Sequence, residues 1–223
     1  MPSPLTPTYT HISIILDRTG SMESIRDDTI GGFNAFLHEQ QSLPEQATLT
    51  FVQFDSRDPY EVIHHFRPIR QIPDLTRATF VPRAQTPLFD AIGRGINDLE
   101  KNLNDLPESA KPDRIVMVII TDGQENASKE FSPQQVQKMI TEKQKADWQF
   151  VFLSADLEAI NQAIKSGFRD ASSMTFDKTT EGSQKAWAAA SRGIASYRHY
   201  SMDKVEFTEA DRTEQESERK RKR

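Results

Sequence analysis

Short apolar segments recur along the chain, and most segments between them are amphipathic. In 12–16 and 115–120 nearly every position is apolar, which is typical of a strand that is buried on both faces. The segments predicted as strands are 9–16, 47–54, 60–66, 115–121, 148–153 and 171–176. Burial on both faces indicates a parallel sheet that helices cover on both sides.

Apolar residues at three- and four-residue spacing predict helices between most of these strands. The apolar stripes of the predicted helices run over 22–37, 88–103, 136–140, 157–164 and 187–197. Ser21 can cap the first helix, and Thr86 followed by Pro87 can open the second. A capping box at 132–135 precedes the third helix.

Strands that alternate with helices predict an α/β fold with a doubly wound, mostly parallel central sheet, which is a Rossmann-like arrangement. The strands predicted at 47–54 and 60–66 are separated only by a short turn that contains Asp55 and Asp58. Strands joined by so short a connection must be antiparallel neighbours, so we expect one edge of the sheet to be a hairpin.

The chain of 223 residues fits one domain, which we place at 9–200. Residues 1–8 contain three prolines and are predicted to be an extended lead-in. From Ser201 the helical periodicity of apolar residues ends and charged residues dominate. We therefore predict a solvated, flexible tail over 201–223.

Composition and charge narrow the classes of function. There are no cysteines, which excludes a disulfide scaffold, a thiolate zinc site and a cysteine nucleophile, and which fits a cytoplasmic protein. The net charge of −5 argues against binding of nucleic acid through bulk charge. The sequence shows neither a signal-peptide pattern nor an apolar run long enough to span a membrane, so we expect no membrane association.

Oxygen-bearing side chains follow two of the predicted strands. Asp17, Thr19 and Ser21 come at the end of the first strand, Asp122 follows 115–121, and Thr86 lies in a loop before a helix. Ligands of doubly wound sheets bind beyond the carboxyl ends of the strands. Two carboxylates and three hydroxyls suit Mg²⁺, with Mn²⁺ or Ca²⁺ as alternatives, better than zinc. In the alternative explanation Asp17, Ser21 and Thr86 merely cap helices, but Asp122 has no such role.

These motifs resemble the metal-ion-dependent adhesion site of the von Willebrand factor A family, written D-x-S-x-S followed by a distant threonine and a distant aspartate. The matching residues are Asp17, Thr19, Ser21, Thr86 in A-Q-T-P-L and Asp122 in T-D-G, and the resemblance extends over roughly 9–200. It implies that Thr19 and Ser21 bind a cation directly, Thr86 directly or through water, and Asp17 and Asp122 mostly through water. Thr19 replaces the first serine of the pattern and keeps its hydroxyl.

The resemblance also implies a function. Members of the family leave one coordination position open for an acidic side chain of a partner. The stretches D-R-T-G-S-M and T-D-G-Q-E-N are most similar to intracellular bacterial members. We therefore expect a cytoplasmic adaptor module that binds Asp or Glu of a protein partner, for example in an ATPase- or kinase-linked system, and that has no small-molecule substrate.

The sequence leaves two alternative functions open. A metal-assisted phosphoryl transferase or hydrolase could use Asp17 as its nucleophile, but the related D-x-D-x-T motif requires an aspartate where Thr19 stands. No phosphate-binding loop and no nucleophile elbow are present, so we expect no enzymatic activity. The basic residues near the C-terminus could contact nucleic acid, but acidic residues alternate with basic ones upstream, so we do not expect this.

Other polar residues have simpler explanations. Asp90 falls in the first turn of its predicted helix, where its charge interacts favourably with the helix dipole. His64 and His65 point to opposite faces of a strand and are expected to be structural or exposed. Glu125 and Asn126 are predicted to be loop surface beside the site.

Overall fold

In the computed structural model, which describes residues 9–221, a six-stranded sheet forms the centre of the molecule. Its strands are β1 (Tyr9–Asp17), β2 (Gln46–Phe54), β3 (Glu61–Pro68), β4 (Arg114–Thr121), β5 (Gln149–Ser154) and β6 (Ser173–Thr175). The spatial order is β3-β2-β1-β4-β5-β6. Only β3 is antiparallel to its neighbour among these described strands, so the predicted parallel sheet with one hairpin edge is confirmed.

Helices cover both faces of the sheet. They are α1 (Arg26–Ser42), α2 (Leu88–Asp105), α3 (Pro133–Lys145), α4 (Leu157–Lys165), α5 (Thr180–Arg198) and α6 (Glu209–Arg221). Successive residues of β1 point to opposite faces. Ile14 joins the core under α1 and α5, whereas Ile15 joins the core under α2, α3 and α4. Both faces of β1 are thus buried, as the apolar pattern predicts.

The packing of α1 against α5 depends on one small residue. A Cβ atom added to Gly32 would lie 2.0 Å from Cδ1 of Trp187, whereas one added to Gly31 would meet nothing within 4 Å. Trp187, Ile194 and Tyr197 are buried, so the predicted core role of the 187–197 stripe is confirmed. These two helices therefore pack closely together over one face of the sheet.

The starts of two helices differ from prediction. The segment after Thr19 first forms a 3₁₀ turn over Gly20–Ile25, and α1 begins only at Arg26. Helix α2 begins at Leu88 with Pro87 as its N-cap, one residue later than predicted, and Thr86 does not cap it. The expectation that Ser21 and Thr86 serve as helix caps is therefore wrong.

The predicted end of the packed domain near residue 200 is also wrong. Val205 and Phe207 are buried, and the Gln215 side-chain amide donates a hydrogen bond to the carbonyl of Gly182 at 3.0 Å. The apolar pair has the two-residue spacing of an extended segment, which a search for helical periodicity misses. Residues 1–8, predicted as a lead-in, and 222–223 lie outside the described residues. No helix in the described part of the chain combines the length and apolar character needed to cross a bilayer.

Candidate metal centre

The five predicted site residues meet at the carboxyl ends of β1 and β4. Strands β1 and β4 are parallel neighbours, so Asp17 at the end of one lies beside the residues that follow the other. Thr19 and Ser21 lie at the 3₁₀ turn after β1, Asp122 follows β4, and Thr86 arrives on the loop before α2. Four of the five are buried, and Ser21 is exposed.

A chain of hydrogen bonds links four of these side chains. The Thr86 hydroxyl donates to Oγ1 of Thr19 at 3.3 Å, Oγ1 of Thr19 lies 3.3 Å from Oγ of Ser21, and Ser21 donates to Oδ1 of Asp122 at 2.5 Å. Neighbouring oxygens of an octahedral Mg²⁺ site, with bonds of 2.0–2.1 Å, are about 3 Å apart. The observed hydrogen-bond spacings are compatible with such a site, and the all-oxygen donor set suits a small, hard divalent cation.

Asp17 is fully buried and held from two sides. Oδ1 accepts the backbone N–H of Thr19 at 2.6 Å, and Oδ2 accepts the hydroxyl of Thr121 at 2.6 Å. Burial raises the pKa of Asp17 to about 7; the hydrogen bonds from Thr121 and Thr19 lower it in part, and the charge of Asp122 adds to the increase. A cation beside this carboxylate would favour its ionised form.

Thr121, which has no predicted role in the site, belongs to it. Besides donating to Asp17, its Oγ1 accepts the backbone N–H of Gly123 at 3.2 Å. It therefore joins the ends of β1 and β4 and orients the carboxylate of Asp17. Its position immediately before Asp122, in T-D-G, was the available signal.

Lys178 is a second residue that the sequence analysis missed. Its ammonium lies 2.8 Å from Oδ2 of Asp122, so both carboxylate oxygens of Asp122 have protein donors. Lys178 lies in the loop between β6 and α5, far along the chain from Asp122. No spacing pattern in the sequence connects the two residues.

Glu125 and Asn126 have a larger role than the predicted loop surface. The Thr86 N–H donates to Oδ1 of Asn126 at 2.9 Å, and the N–H of Asn126 donates to the carbonyl of Thr86 at 3.1 Å. Oε2 of Glu125 accepts the N–H of Phe89 at 3.0 Å. The loop after Asp122 thus caps α2, which leaves the Thr86 hydroxyl free to join the oxygen cluster.

Asp90 supports the same loop. It lies in the first turn of α2, as predicted. Its carboxylate also accepts backbone N–H groups of Lys129, Glu130 and Phe131 at 2.8–2.9 Å. These contacts explain why it is buried, and they give it a structural role at the rim of the site.

A buried ion-pair network lies behind the 17–21 loop. Nε of Arg18 lies 2.9 Å from Oδ2 of Asp55, Nε of Arg83 lies 2.8 Å from the same oxygen, and Arg18 also contacts Glu61 at 2.5 Å. Burial would raise the pKa of Asp55, but hydrogen bonds from Arg83 and two backbone N–H groups, with the charge of Arg18, hold it below its usual value. Asp55 also accepts the N–H of Arg57 at 2.7 Å, so its predicted turn role is confirmed.

Histidine and additional carboxylates do not supply another centre. His64 and His65 occupy adjacent positions on β3, half-buried and exposed respectively. Within residues 9–221, no group of three or more His, Cys, Asp or Glu side chains is placed to hold a metal ion. The candidate centre therefore depends on its hydroxyl oxygens.

Known structures share the fold of this chain. No protein-family model matches the sequence, and no curated protein matches it. One solved structure with a similar fold is proximal thread matrix protein 1 from the mussel byssus, which has zinc in its metal-ion-dependent adhesion site (MIDAS). It is 14% identical to this chain with a TM-score of 0.58, and the match covers 85% of this chain and 46% of that one. The pilus adhesin SpaC from Lactobacillus rhamnosus GG is 12% identical with a TM-score of 0.63, and the match covers 84% of this chain and 30% of SpaC.

The chain has the von Willebrand factor A fold. A third structure with this fold, manganese-loaded TRAP from Plasmodium vivax, is 14% identical with a TM-score of 0.55; the match covers 78% of this chain and 70% of that one. The chain spans less than half the length of the mussel and Lactobacillus proteins. At such low identity the likeness establishes the von Willebrand factor A fold alone.

Proposed function

We propose that this chain is a metal-dependent protein-binding module. A divalent cation is held by Asp17, Thr19, Ser21, Thr86 and Asp122, and a carboxylate of a partner protein completes its coordination. The observation that carries the proposal is the continuous chain of oxygens from Thr86 to Asp122, spaced 2.5–3.3 Å apart at the carboxyl ends of two parallel strands. Folding alone does not require this cluster, since neither Ser21 nor Thr86 caps a helix.

The donor set favours Mg²⁺, with Mn²⁺ or Ca²⁺ as alternatives, because all five side chains offer oxygen. The mussel protein has zinc in its metal-ion-dependent adhesion site and the Plasmodium protein is loaded with manganese, which supports a divalent cation in this chain. When bound, the cation supplies a Lewis-acidic position that can accept a carboxylate. The exposed Ser21 marks the side from which such a ligand can approach.

The partner is a protein that presents Asp or Glu. The pilus adhesin among the neighbours supports a binding function for the fold. The narrower role, a cytoplasmic adaptor in an ATPase- or kinase-linked system, belongs to this proposal and rests on the similarity of D-R-T-G-S-M to intracellular bacterial members.

The structure gives less support to a phosphoryl transferase that uses Asp17. Both oxygens of Asp17 accept hydrogen bonds, from Thr19 and Thr121, and its side chain is fully buried. A nucleophile needs access to its substrate. Turnover of a generic phosphate ester with Mg²⁺ that disappears in Asp17→Asn would restore this alternative, and we expect no such turnover.

A peptide array tests the binding function directly. The chain is applied to peptides with a central Asp, Glu, Asn or Gln, in Mg²⁺ and again in EDTA. We expect retention only on acidic peptides, only with Mg²⁺, and not for Asp122→Ala. Retention that is equal in EDTA, or equal on the amide peptides, would contradict the proposal.

A further inference from the structure

Lys178 places an ammonium group against one of the five candidate metal ligands. Its Nζ lies 2.8 Å from Oδ2 of Asp122, while Oδ1 of Asp122 accepts the hydroxyl of Ser21. We propose that Lys178 is a built-in competitor of the divalent cation: it neutralises Asp122 in the metal-free protein and thereby weakens metal binding. This inference concerns the same site and rests on the proposed function.

The burial of Asp122 explains why a competing cation is present. Its side chain has no exposed surface, whereas that of Lys178 is 43% exposed. A buried carboxylate is costly unless a positive charge or strong donors compensate it. Without a metal, the ammonium of Lys178 supplies that compensation and keeps Asp122 in place beside Ser21.

The position of Lys178 allows its ammonium to leave without rearranging the fold. The residue lies between two held stretches of backbone: the N–H of Phe176 donates to the carbonyl of Ser154 at 2.9 Å, and the carbonyl of Thr179 accepts the N–H of Ser183 at 2.9 Å. The backbone on both sides is held, while the half-exposed lysine side chain has several rotatable bonds. The side chain can therefore swing into solvent.

Competition follows from charge. A divalent cation near Asp122 repels an ammonium that contacts the same carboxylate, so binding requires Lys178 to withdraw. The free energy of the ion pair is then subtracted from that of metal binding. If Lys178 instead oriented Asp122 for the metal, its removal would have the opposite effect, which makes the two roles distinguishable.

Mn²⁺ titration of the full-length chain, followed by electron paramagnetic resonance of the free ion, tests the inference. Lys178→Met removes the charge and keeps much of the length of the side chain, and Lys178→Arg keeps the charge. Lys101→Met is the matched control, because it removes a lysine that lies 2.9 Å from Asp105 near the opposite end of α2. Circular dichroism in EDTA establishes that each variant is folded.

We expect Lys178→Met to bind Mn²⁺ about tenfold more tightly than the wild type, because the cation no longer has to displace one charge-assisted hydrogen bond. Lys178→Arg and Lys101→Met should bind like the wild type. Unchanged or weaker binding by Lys178→Met would overturn the inference and leave the proposed metal site intact, provided that the wild type binds. If neither protein binds Mn²⁺, the inference and the proposed function both fail.

Discussion

The two ends of β1 both bury polar groups, but they do so in different ways. At the amino end, Nδ1 of His11 lies 2.9 Å from the hydroxyl of Thr48, and its ring stacks on Phe66 at 3.9 Å between centroids. At the carboxyl end, Asp17 and Asp122 lie among four hydroxyls and two charged networks. The amino end brings few polar partners together, and among the described residues Oγ1 of Thr10 and Nε2 of His11 have no hydrogen-bond partner, whereas the carboxyl end contains more oxygen ligands than folding requires. That excess distinguishes a binding site from a polar part of the core.

The largest effect on stability is expected behind the candidate metal centre. Arg18→Met removes a buried guanidinium from Asp55 and Glu61, and breaking a buried pair from one side costs about 3 kcal/mol. Arg83→Met is the control, because Arg83 also pairs with Asp55 but is more exposed, and it should cost about 1 kcal/mol or less. Urea unfolding in EDTA measures both. Equal losses would show that burial of Arg18 has no special role.

The stability contributed by the amino end of β1 should depend on pH even in the absence of a metal ion. Burial, with a smaller contribution from the charge of His65, lowers the pKa of His11 to about 3. Between that value and the ordinary 6.5, the unfolded chain binds a proton that the folded chain does not bind, so stability is lost as the pH falls. Between pH 7 and pH 5 this contribution decreases by about 2 kcal/mol.

Urea unfolding at several pH values measures the contribution of His11. The raised pKa of Asp17 adds stability over the same fall in pH, so the contribution of His11 is measured as a difference between variants. Between pH 7 and pH 5, His11→Gln should gain stability relative to the wild type, while His65→Gln, at an exposed position, should follow the wild type. An unchanged pH dependence in His11→Gln would show that His11 does not stay neutral in the folded protein.

A smaller effect on stability is expected from Thr121, whose hydroxyl links the carboxyl ends of β1 and β4. Thr121→Val keeps the shape of the side chain and removes the donor to Oδ2 of Asp17, which should cost about 1–2 kcal/mol in EDTA. It should also weaken Mn²⁺ binding, because Asp17 loses one of its two orienting contacts. Thr121→Ser retains the hydroxyl and should restore most of both properties. If the valine variant binds Mn²⁺ as tightly as the wild type, Thr121 has no orienting role.

The sequence predicts the sheet well because each strand carries its own signal. Buried strands such as β4 are apolar at nearly every position, and the short 55–59 turn requires the β2–β3 hairpin. The meeting of Asp17 and Asp122 also follows from the sequence, since adjacent parallel strands place their carboxyl ends together.

The contacts that surround the site could not be predicted in this way. The Lys178–Asp122 and Arg18–Asp55 pairs join residues that are distant in sequence and have no periodicity in common. The local sequence favours Thr86 as the cap of α2, but Glu125 reaches Phe89 from another loop. Val205 and Phe207 are buried, but two apolar residues are too few to form a helical pattern in the sequence.

Metal-dependent stabilisation tests the candidate site most directly. Unfolding is followed with increasing Mn²⁺ or Mg²⁺ for the wild type, Ser21→Ala, Asp122→Ala and the control Ser24→Ala. Ser24 is a matched control because it lies in the same 3₁₀ turn and, among the contacts described, its hydroxyl donates only to the carbonyl of Ser21. At a hundred times the dissociation constant, a cation adds about 2.7 kcal/mol to the free energy of unfolding. We expect this gain in the wild type and in Ser24→Ala, and its loss in Ser21→Ala and Asp122→Ala. No gain in the wild type, or an equal gain in all four proteins, would contradict a metal centre at these residues.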